Sequence, residues 1–333
     1  MENNKTLERY KLKPEGAVER YHELLKEDID KFTLNTSGAE EIECFVCGSK
    51  EYSLRYKKFG FDVVNCSECS MVYVNPRPNN EHLIKYYTES LASAYFQEYI
   101  IAPTQEYRID HIVKPRLNYL LNKIPGKGKW LDVGCSSGLL LSEGAKTGWD
   151  PYGIEFEETS ANAARDVGIF IYEKPIEDLG IENKFDLVTM FEVLEHVADP
   201  KGTLEHCFTA MTKGGHIVIT VPNIEGIEFE ILEDKHSNIA PPSHLNYFSP
   251  QTLTDILIKY GFEIVELDTP GLLDVSNLNI FMNKDDTLSS GNNSLDHILK
   301  SSDEGSDEAR EKFQQVIAES NKSGHLRVIA KKV

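Results

Sequence analysis

From Lys129 onward the chain alternates short apolar runs with segments of helical periodicity, and this pattern limits its fold more than any other feature. Apolar runs at 129–133, 151–155, 169–172, 185–190 and 216–221 read as strands, with helices near 138–147, 159–166 and 201–211. Such alternation is met by a parallel sheet whose crossover helices cover its faces, so an α/β, Rossmann-like doubly wound sheet is expected. Beyond Pro222 the pattern becomes irregular, then gives a helix at about 250–260 and strands at 262–267 and 325–331. Residues 283–306 are poor in apolar side chains and read as a mobile surface loop.

A cysteine module lies ahead of this region. Cys44-Phe45-Val46-Cys47 and Cys66-Ser67-Glu68-Cys69 are separated by 18 residues, a spacing that suits two Cys-x-x-Cys knuckles around one tetrahedral Zn2+. Four thiolates close the coordination sphere, so the expected ion is structural and has no open position for a reacting water. Tyr52 to Tyr56 and Phe61 to Val64 read as short strands between the knuckles, and Asn75-Pro76-Arg77-Pro78 as a rigid exit. Before the module, Val18, Tyr21, Leu24, Leu25, Ile29 and Phe32 recur at helical spacing, followed by a polar break at Thr36-Ser37-Gly38. After it, helical patterns at about 79–88 and 104–122 lead to Pro125-Gly126. The expected division is an N-terminal helical segment (1–42), a zinc ribbon (43–78), a helical connector (79–126) and a catalytic domain (127–333).

Charge narrows the partners. The net charge of −19 counts against nucleic acid, because a polyanion is normally met by a basic surface. No apolar run reaches the roughly 18 residues of a membrane span, and the first residues lack the apolar core of a signal peptide. A cytoplasmic protein with no membrane partner is therefore expected, and in that setting paired cysteines indicate metal more than disulfides.

The ligand edge of the sheet is marked by Leu131-Asp132-Val133-Gly134-Cys135-Ser136-Ser137-Gly138, a strand running into a glycine-bearing turn and then a helix. Such a turn lets a ligand approach the backbone at the carboxyl end of the first strand. The next strand ends Tyr152-Gly153-Ile154-Glu155-Phe156, placing a carboxylate about 20 residues beyond the glycines, where it can accept ribose hydroxyl protons. These features alone fit a dinucleotide as well as S-adenosylmethionine. The detail of the turn, together with Phe185-Asp186-Leu187-Val188-Thr189-Met190-Phe191-Glu192-Val193-Leu194-Glu195-His196-Val197 and Gly214 to Asn223, resembles the class I S-adenosylmethionine-dependent methyltransferases. Ser136 departs from that pattern, which usually has glycine there.

The resemblance implies seven strands with the last antiparallel, and S-adenosylmethionine as cofactor. It implies that Gly134 and Gly138 shape the methionine pocket, with Asp132 and Cys135 among the residues of the cofactor motif, that Glu155 holds the ribose beside Phe156 at the adenine, and that Phe191 and Glu192 border the sulfonium. The cysteine module ahead of the catalytic motifs is similar to that of zinc-containing sugar methyltransferases and related bacterial and archaeal small-molecule enzymes. In the sugar C-methyltransferases a Glu-His pair is implicated in proton removal. His244 matches the histidine, but Ser243 replaces the glutamate, which moves the expectation from carbon to oxygen or nitrogen as the accepting atom. His244 is the first candidate base and His196 the second. The expected acceptor is a small polar metabolite such as a sugar or sugar nucleotide. Two other readings stay open: an RNA or protein methyltransferase that reads its substrate with the zinc ribbon, and a non-catalytic scaffold that retains the fold.

Overall fold

The computed structural model describes residues 9–12, 14, 16–33, 39–301 and 304–333. The polar break at 36–38 lies outside the described residues. The expected first helix is present as Ala17–Thr33 and buries Leu24, Ile29 and Phe32. Its buried Asp28 accepts hydrogen bonds from Ser90 Oγ (2.8 Å) and the amides of Leu91 (3.2 Å) and Ala92 (2.8 Å), fixing the start of the helix Leu91–Tyr95.

The cysteine module contains β1 (Ala39–Glu40), β2 (Tyr52–Lys58), β3 (Phe61–Cys66), β4 (Val72–Val74) and β5 (Arg77–Pro78). β1 pairs with β5, and β2, β3 and β4 form an antiparallel meander. The connector follows as the helix Asn80–Glu89 and a chain of short helical turns. Over 104–122, where one helix is expected, Gln105–Arg108 and Lys114–Lys123 are joined by a π-helical turn at Ile109–Val113. Pro115 has no amide to donate to the carbonyl four residues back, and a wider turn accommodates its ring.

The main sheet is built from β6 (Lys129–Val133), β7 (Asp150–Ile154), β8 (Phe170–Tyr172), β9 (Phe185–Phe191) and β10 (Met211–Pro222), all parallel. β11 (Asn246–Tyr247) belongs elsewhere, and β12 (Phe262–Asp268) and β13 (His325–Lys332) complete the sheet in the order β12-β13-β10-β9-β6-β7-β8. β13 runs antiparallel to both neighbours. The seven strands with one late antiparallel member match the expectation. The direction of winding reverses between β6 and β9, which opens a crevice at their carboxyl ends.

Alternate residues of the strands feed two separate cores. Trp130, Leu187, Val218 and Ile329 pack with Leu117, Leu120, Leu140 and Leu141 on one face. On the other face Leu131, Val188, Ile217 and Ile219 meet Leu204, Leu253 and Leu257, and this core continues without a break into Phe45, Val64, Met71 and Tyr73 of the cysteine module. The module is thus packed into the catalytic fold. Burial of this shared apolar surface stabilises the join by roughly 25 cal/mol for each Å² removed from water.

The join has a polar counterpart in β11. This two-residue strand from the segment after β10 pairs with β4, Asn246 opposite Tyr73 and Tyr247 opposite Val72. The buried Asn246 donates to the carbonyls of Leu194 (3.0 Å) and Val197 (2.8 Å) and accepts from Arg77 Nη2 (3.1 Å). Arg77 also donates to the Ala198 carbonyl at 2.6 Å. Its pKa is lowered to about 10 by burial, so the guanidinium stays charged at neutral pH.

The stretch 283–306, expected as a loop, instead contains the helix Asn293–Lys300, capped by the Asn292 side chain. Leu295 and Leu299 are one turn apart and supply just enough apolar face to pack with Val275, Leu278 and Met282 of the helix Asp274–Lys284. Among the described residues no helix is long and apolar enough to cross a membrane.

Replacing Asn246 by Leu removes three side-chain hydrogen bonds and leaves two buried carbonyls and part of Arg77 without partners. A loss of about 2–4 kcal/mol in folding stability is expected by urea denaturation, and a change below about 0.5 kcal/mol would show that these hydrogen bonds do not hold the junction together.

Candidate active site

At the end of β6 the chain turns through Gly134 (φ 71°), Ser136 (φ 50°) and Gly138 (φ 71°) into the helix Leu139–Ala145. A side chain at Gly134 would approach Val193 Cγ2 to 2.7 Å, and one at Gly138 would approach Ala164 Cβ to 2.9 Å. Both glycines therefore satisfy close packing as well as a left-handed backbone. Ser136 adopts the same left-handed region at a cost of roughly 1–2 kcal/mol, which explains why glycine is usual there. The thiol of Cys135 is buried against Gly153, where a Cβ would lie 2.4 Å from the sulfur. Cys135 thus gives the loop its shape through packing.

The Ser136 amide donates to Glu155 Oε2 at 2.9 Å, while Glu155 Oε1 accepts from the amides of Phe156 (2.8 Å) and Glu157 (2.9 Å). Burial raises the Glu155 pKa, and the three amides oppose that rise. The carboxylate is held rigidly at the tip of β7, beside a Phe156 ring that is 57% exposed. Asp132 is deeper. Its Oδ1 accepts from Thr189 Oγ1 (2.5 Å), which in turn accepts from Trp130 Nε1 (2.8 Å). Burial raises the Asp132 pKa to about 7.

β9 ends at Phe191, and Glu192 follows it. Glu192 has φ 56° and is braced by Thr220 Oγ1, which donates to its Oε1 at 2.7 Å. Strain of this kind at a strand end is common where a side chain must be presented to a ligand. The Arg116 guanidinium lies 4.1 Å from the centre of the Phe191 ring. Burial lowers its pKa, while Glu192 and Asp132 act in the opposite direction. Sequence reasoning missed Arg116, since it lies on the connector and only the fold brings it to the β6–β9 crevice. Its one sequence-level signal was a cation inside an otherwise apolar helical face.

Four residues beyond β9 the chain reaches Glu195 and His196, and His244 approaches them from the segment before β11. The His196 and His244 rings are perpendicular, with centroids 4.6 Å apart. His196 Nδ1 is 2.8 Å from the Ser243 carbonyl, which also accepts from Tyr87 Oη at 2.9 Å. Nδ1 therefore carries the proton and Nε2 presents a lone pair, 3.7 Å from Glu195 Oε1. Burial lowers the pKa of both histidines, most strongly for His244. Burial, with the Glu192 carboxylate nearby, pushes Glu195 well up. Although Ser243 lacks a carboxylate, Glu195, from a distant part of the chain, brings a carboxylate oxygen within 4.8 Å of a His244 ring nitrogen. Glu192, directly after β9, lies three and four residues before Glu195 and His196, and its charge bears on both of them and on Arg116.

The Sγ atoms of Cys44, Cys47, Cys66 and Cys69 lie within 4.8 Å of one another, with Cys44 and Cys69 3.5 Å apart and Cys47 and Cys66 3.5 Å apart. All four are free thiols. Equivalent turns present each pair: the Gly48 amide donates to the Cys44 carbonyl, and Ser70 to that of Cys66.

Comparison with known proteins fits this geometry. A family model described as a methyltransferase domain matches residues 105–267. The ubiquinone biosynthesis O-methyltransferase of Marinobacter nauticus is 30% identical over 203 residues, covering 54% of this chain and 81% of that enzyme. The enzyme of the same name from Acinetobacter baylyi is 34% identical over 148 residues, and the match spans 40% of this chain and 60% of that relative. A structure of an S-adenosylmethionine-dependent methyltransferase from Archaeoglobus fulgidus aligns over 68% of this chain and 99% of its own, with 19% identity and a TM-score of 0.47. The chain belongs to the S-adenosylmethionine-dependent methyltransferases. These relatives are named for ubiquinone biosynthesis and not for sugar methylation, and the cysteine module lies outside the matched residues 105–267.

The raised pKa of Asp132 has a measurable sign. In the cofactor-free protein its stabilising contribution is complete below about pH 4, the ordinary aspartate range, and is lost as pH rises through about 7. Asp132→Asn keeps an acceptor for Thr189 but cannot ionise, so its melting temperature should fall less than that of wild type between pH 5 and pH 8. Parallel profiles for the two proteins would show that Asp132 does not titrate in this window.

Proposed function

We propose that this methyltransferase carries a methyl group from S-adenosylmethionine to a hydroxyl oxygen of a small polar acceptor bound against Glu195, His196 and His244. The observation that carries this reading is the convergence of Glu195, His196 and His244, with ligand-type atoms within 4.8 Å of one another, just beyond the end of β9, the strand that pairs with β6 and its Gly134–Gly138 loop. Glu155 would accept the ribose hydroxyls, and the open face of Phe156 would be covered by the adenine. Arg116 suits the methionine carboxylate, because its charge stands over an aromatic ring and not in an ion pair among the described residues. Phe191 and Glu192 would flank the sulfonium, whose positive charge disappears as the methyl leaves, so positioning matters more than charge stabilisation there.

The acceptor must lose a proton as its oxygen takes the methyl group. The bare Nε2 of His196 and Nδ1 of His244 are the available bases, and their neutral state at pH 7 is the form a base requires. Oxygen is favoured over nitrogen by the names of the relatives, and a sugar remains one member of the acceptor class. The reading of the cysteine module as a nucleic-acid reader has little support. Lys50 pairs with Glu43, Lys57 with Asp62, and Lys58 donates to the carbonyls of Asp234 and His236, so these cations are engaged within the chain.

We also infer a structural Zn2+ on Cys44, Cys47, Cys66 and Cys69. The four thiols meet one another only in two S···S contacts of 3.5 Å, weak hydrogen bonds for weak donors and acceptors, and burial holds Cys44 up at about 11. A bound cation reverses that penalty. Purified protein should contain one tightly held zinc, lost with folding stability in Cys44→Ser, and metal-free protein of unchanged stability would remove the assignment.

Glu155→Ala and Arg116→Ala should each weaken binding of labelled S-adenosylmethionine at least tenfold, about 1.4 kcal/mol, with Glu155→Asp losing less. Absence of binding by folded wild-type protein would overturn the donor assignment.

A further inference from the structure

Among the described residues, metal-ligating atoms converge at two places, the four cysteines and the group Glu195, His196 and His244. We propose that the second group is a metal centre in its own right, taking a divalent first-row cation and leaving coordination positions open toward the acceptor. One ligand atom from each residue lies within 4.8 Å of the other two. The Nε2 of His196 and the Oε1 of Glu195 are 3.7 Å apart, against about 3.0–3.4 Å for two ligands on an ion with bonds of about 2.0–2.1 Å. A small side-chain rotation closes that difference.

The surroundings are those of a ligand set. Glu195 is 1% exposed, yet neither of its carboxylate oxygens has a hydrogen-bond partner, and His244 Nδ1 is likewise buried without one. Buried polar atoms are rarely left in this state unless something else meets them. Each histidine is anchored through its other side: His196 Nδ1 donates to the Ser243 carbonyl at 2.8 Å, and the Asn238 backbone faces the His244 ring. Metal-bound histidines are held in this way, one nitrogen on a carbonyl and the other turned to the ion. Tyr87 Oη, donating to the same Ser243 carbonyl at 2.9 Å, holds the acceptor segment in place.

Two imidazoles and one carboxylate suit manganese, iron, cobalt, nickel or zinc, whereas thiolates select zinc. Three protein ligands leave room for an acceptor oxygen, and a hydroxyl with a neighbouring hydroxyl or carbonyl could bind through both. This use of the ion rests on the proposed methyl transfer. With the ion bound, the ring nitrogens of His196 and His244 are its ligands and no longer bases, so the coordinated hydroxyl gives its proton to solvent as its O–H bond breaks. Its oxygen then forms the new bond to the methyl carbon as the carbon–sulfur bond breaks, and the donor leaves as a neutral thioether.

The test is titration of the full chain, its cysteines already loaded with zinc, with Mn2+ followed by the electron paramagnetic resonance of free Mn2+. One further equivalent should bind, and His244→Ala and Glu195→Gln should each weaken it at least tenfold while S-adenosylmethionine binding is retained. No binding of Mn2+, Co2+ or further Zn2+ by folded wild type overturns the proposal, as does binding that both variants leave unchanged. That result would leave a proton shared between Glu195 and His196 as the reason for the cluster. Should the variants fail to fold, Co2+ added to zinc-loaded wild type must shift the ring resonances of His196 and His244, and unshifted rings count against the site. Loss of S-adenosylmethionine binding in wild type would instead strike the methyl-transfer reading and leave the metal titration interpretable.

Discussion

The structure depends on a buried junction in which Arg77 and Asn246 tie three remote segments together. Arg77 leaves the cysteine module, Asn246 sits in the segment after β10, and both bond to carbonyls in the turn after β9. A buried guanidinium is costly unless its donors are met; here Nη1 is met by the Ala198 carbonyl of the turn that carries Glu195 and His196, Nη2 by Asn246 Oδ1, and Nε is left without a partner. Rings of Phe45 and Tyr73 lie within cation–π distance of the same group. The geometry of the acceptor side is therefore set by contacts made far from the reacting atoms.

This arrangement divides the labour of the fold. The donor edge is local: a strand, a glycine turn and a carboxylate at the end of the next strand, held by backbone hydrogen bonds among neighbours in sequence. The proposed acceptor edge is assembled from residues near 87, 195 and 244, whose segments meet at the Ser243 carbonyl and are tied to the cysteine module where β4 pairs with β11. The first is a property of the sheet, and the second is a property of how an added module is docked onto it.

The same division explains what could be read from the sequence. The strands from 129 to 222, the helix Pro250–Lys259 and the four cysteines carry local signals of period, cap and spacing, and each is found close to its expected position. Arg116 was hidden because its meaning depends on the Phe191 ring, which is brought to it by tertiary packing. Glu195 was read only as part of a family phrase, yet the fold brings its carboxylate close to His244, whose neighbour Ser243 has none. The helix Asn293–Lys300 escaped notice because two leucines on one short turn make too weak a period in a polar stretch. The loop between expected strands gave no hint of β11, whose two residues have no strand signature and are extended by the partner they join.

The pairing of β11 with β4 also has a consequence for how such enzymes diversify. A segment proposed to form the acceptor wall, yet taking its hydrogen bonds from another module, cannot be exchanged alone without stranding Asn246 or Arg77. New acceptor preferences in this architecture would be inherited as a two-part cassette, the cysteine module travelling with the stretch around 223–250. Grafting one half between relatives should give chains that still hold the methyl donor but have lost a coherent place to spend it.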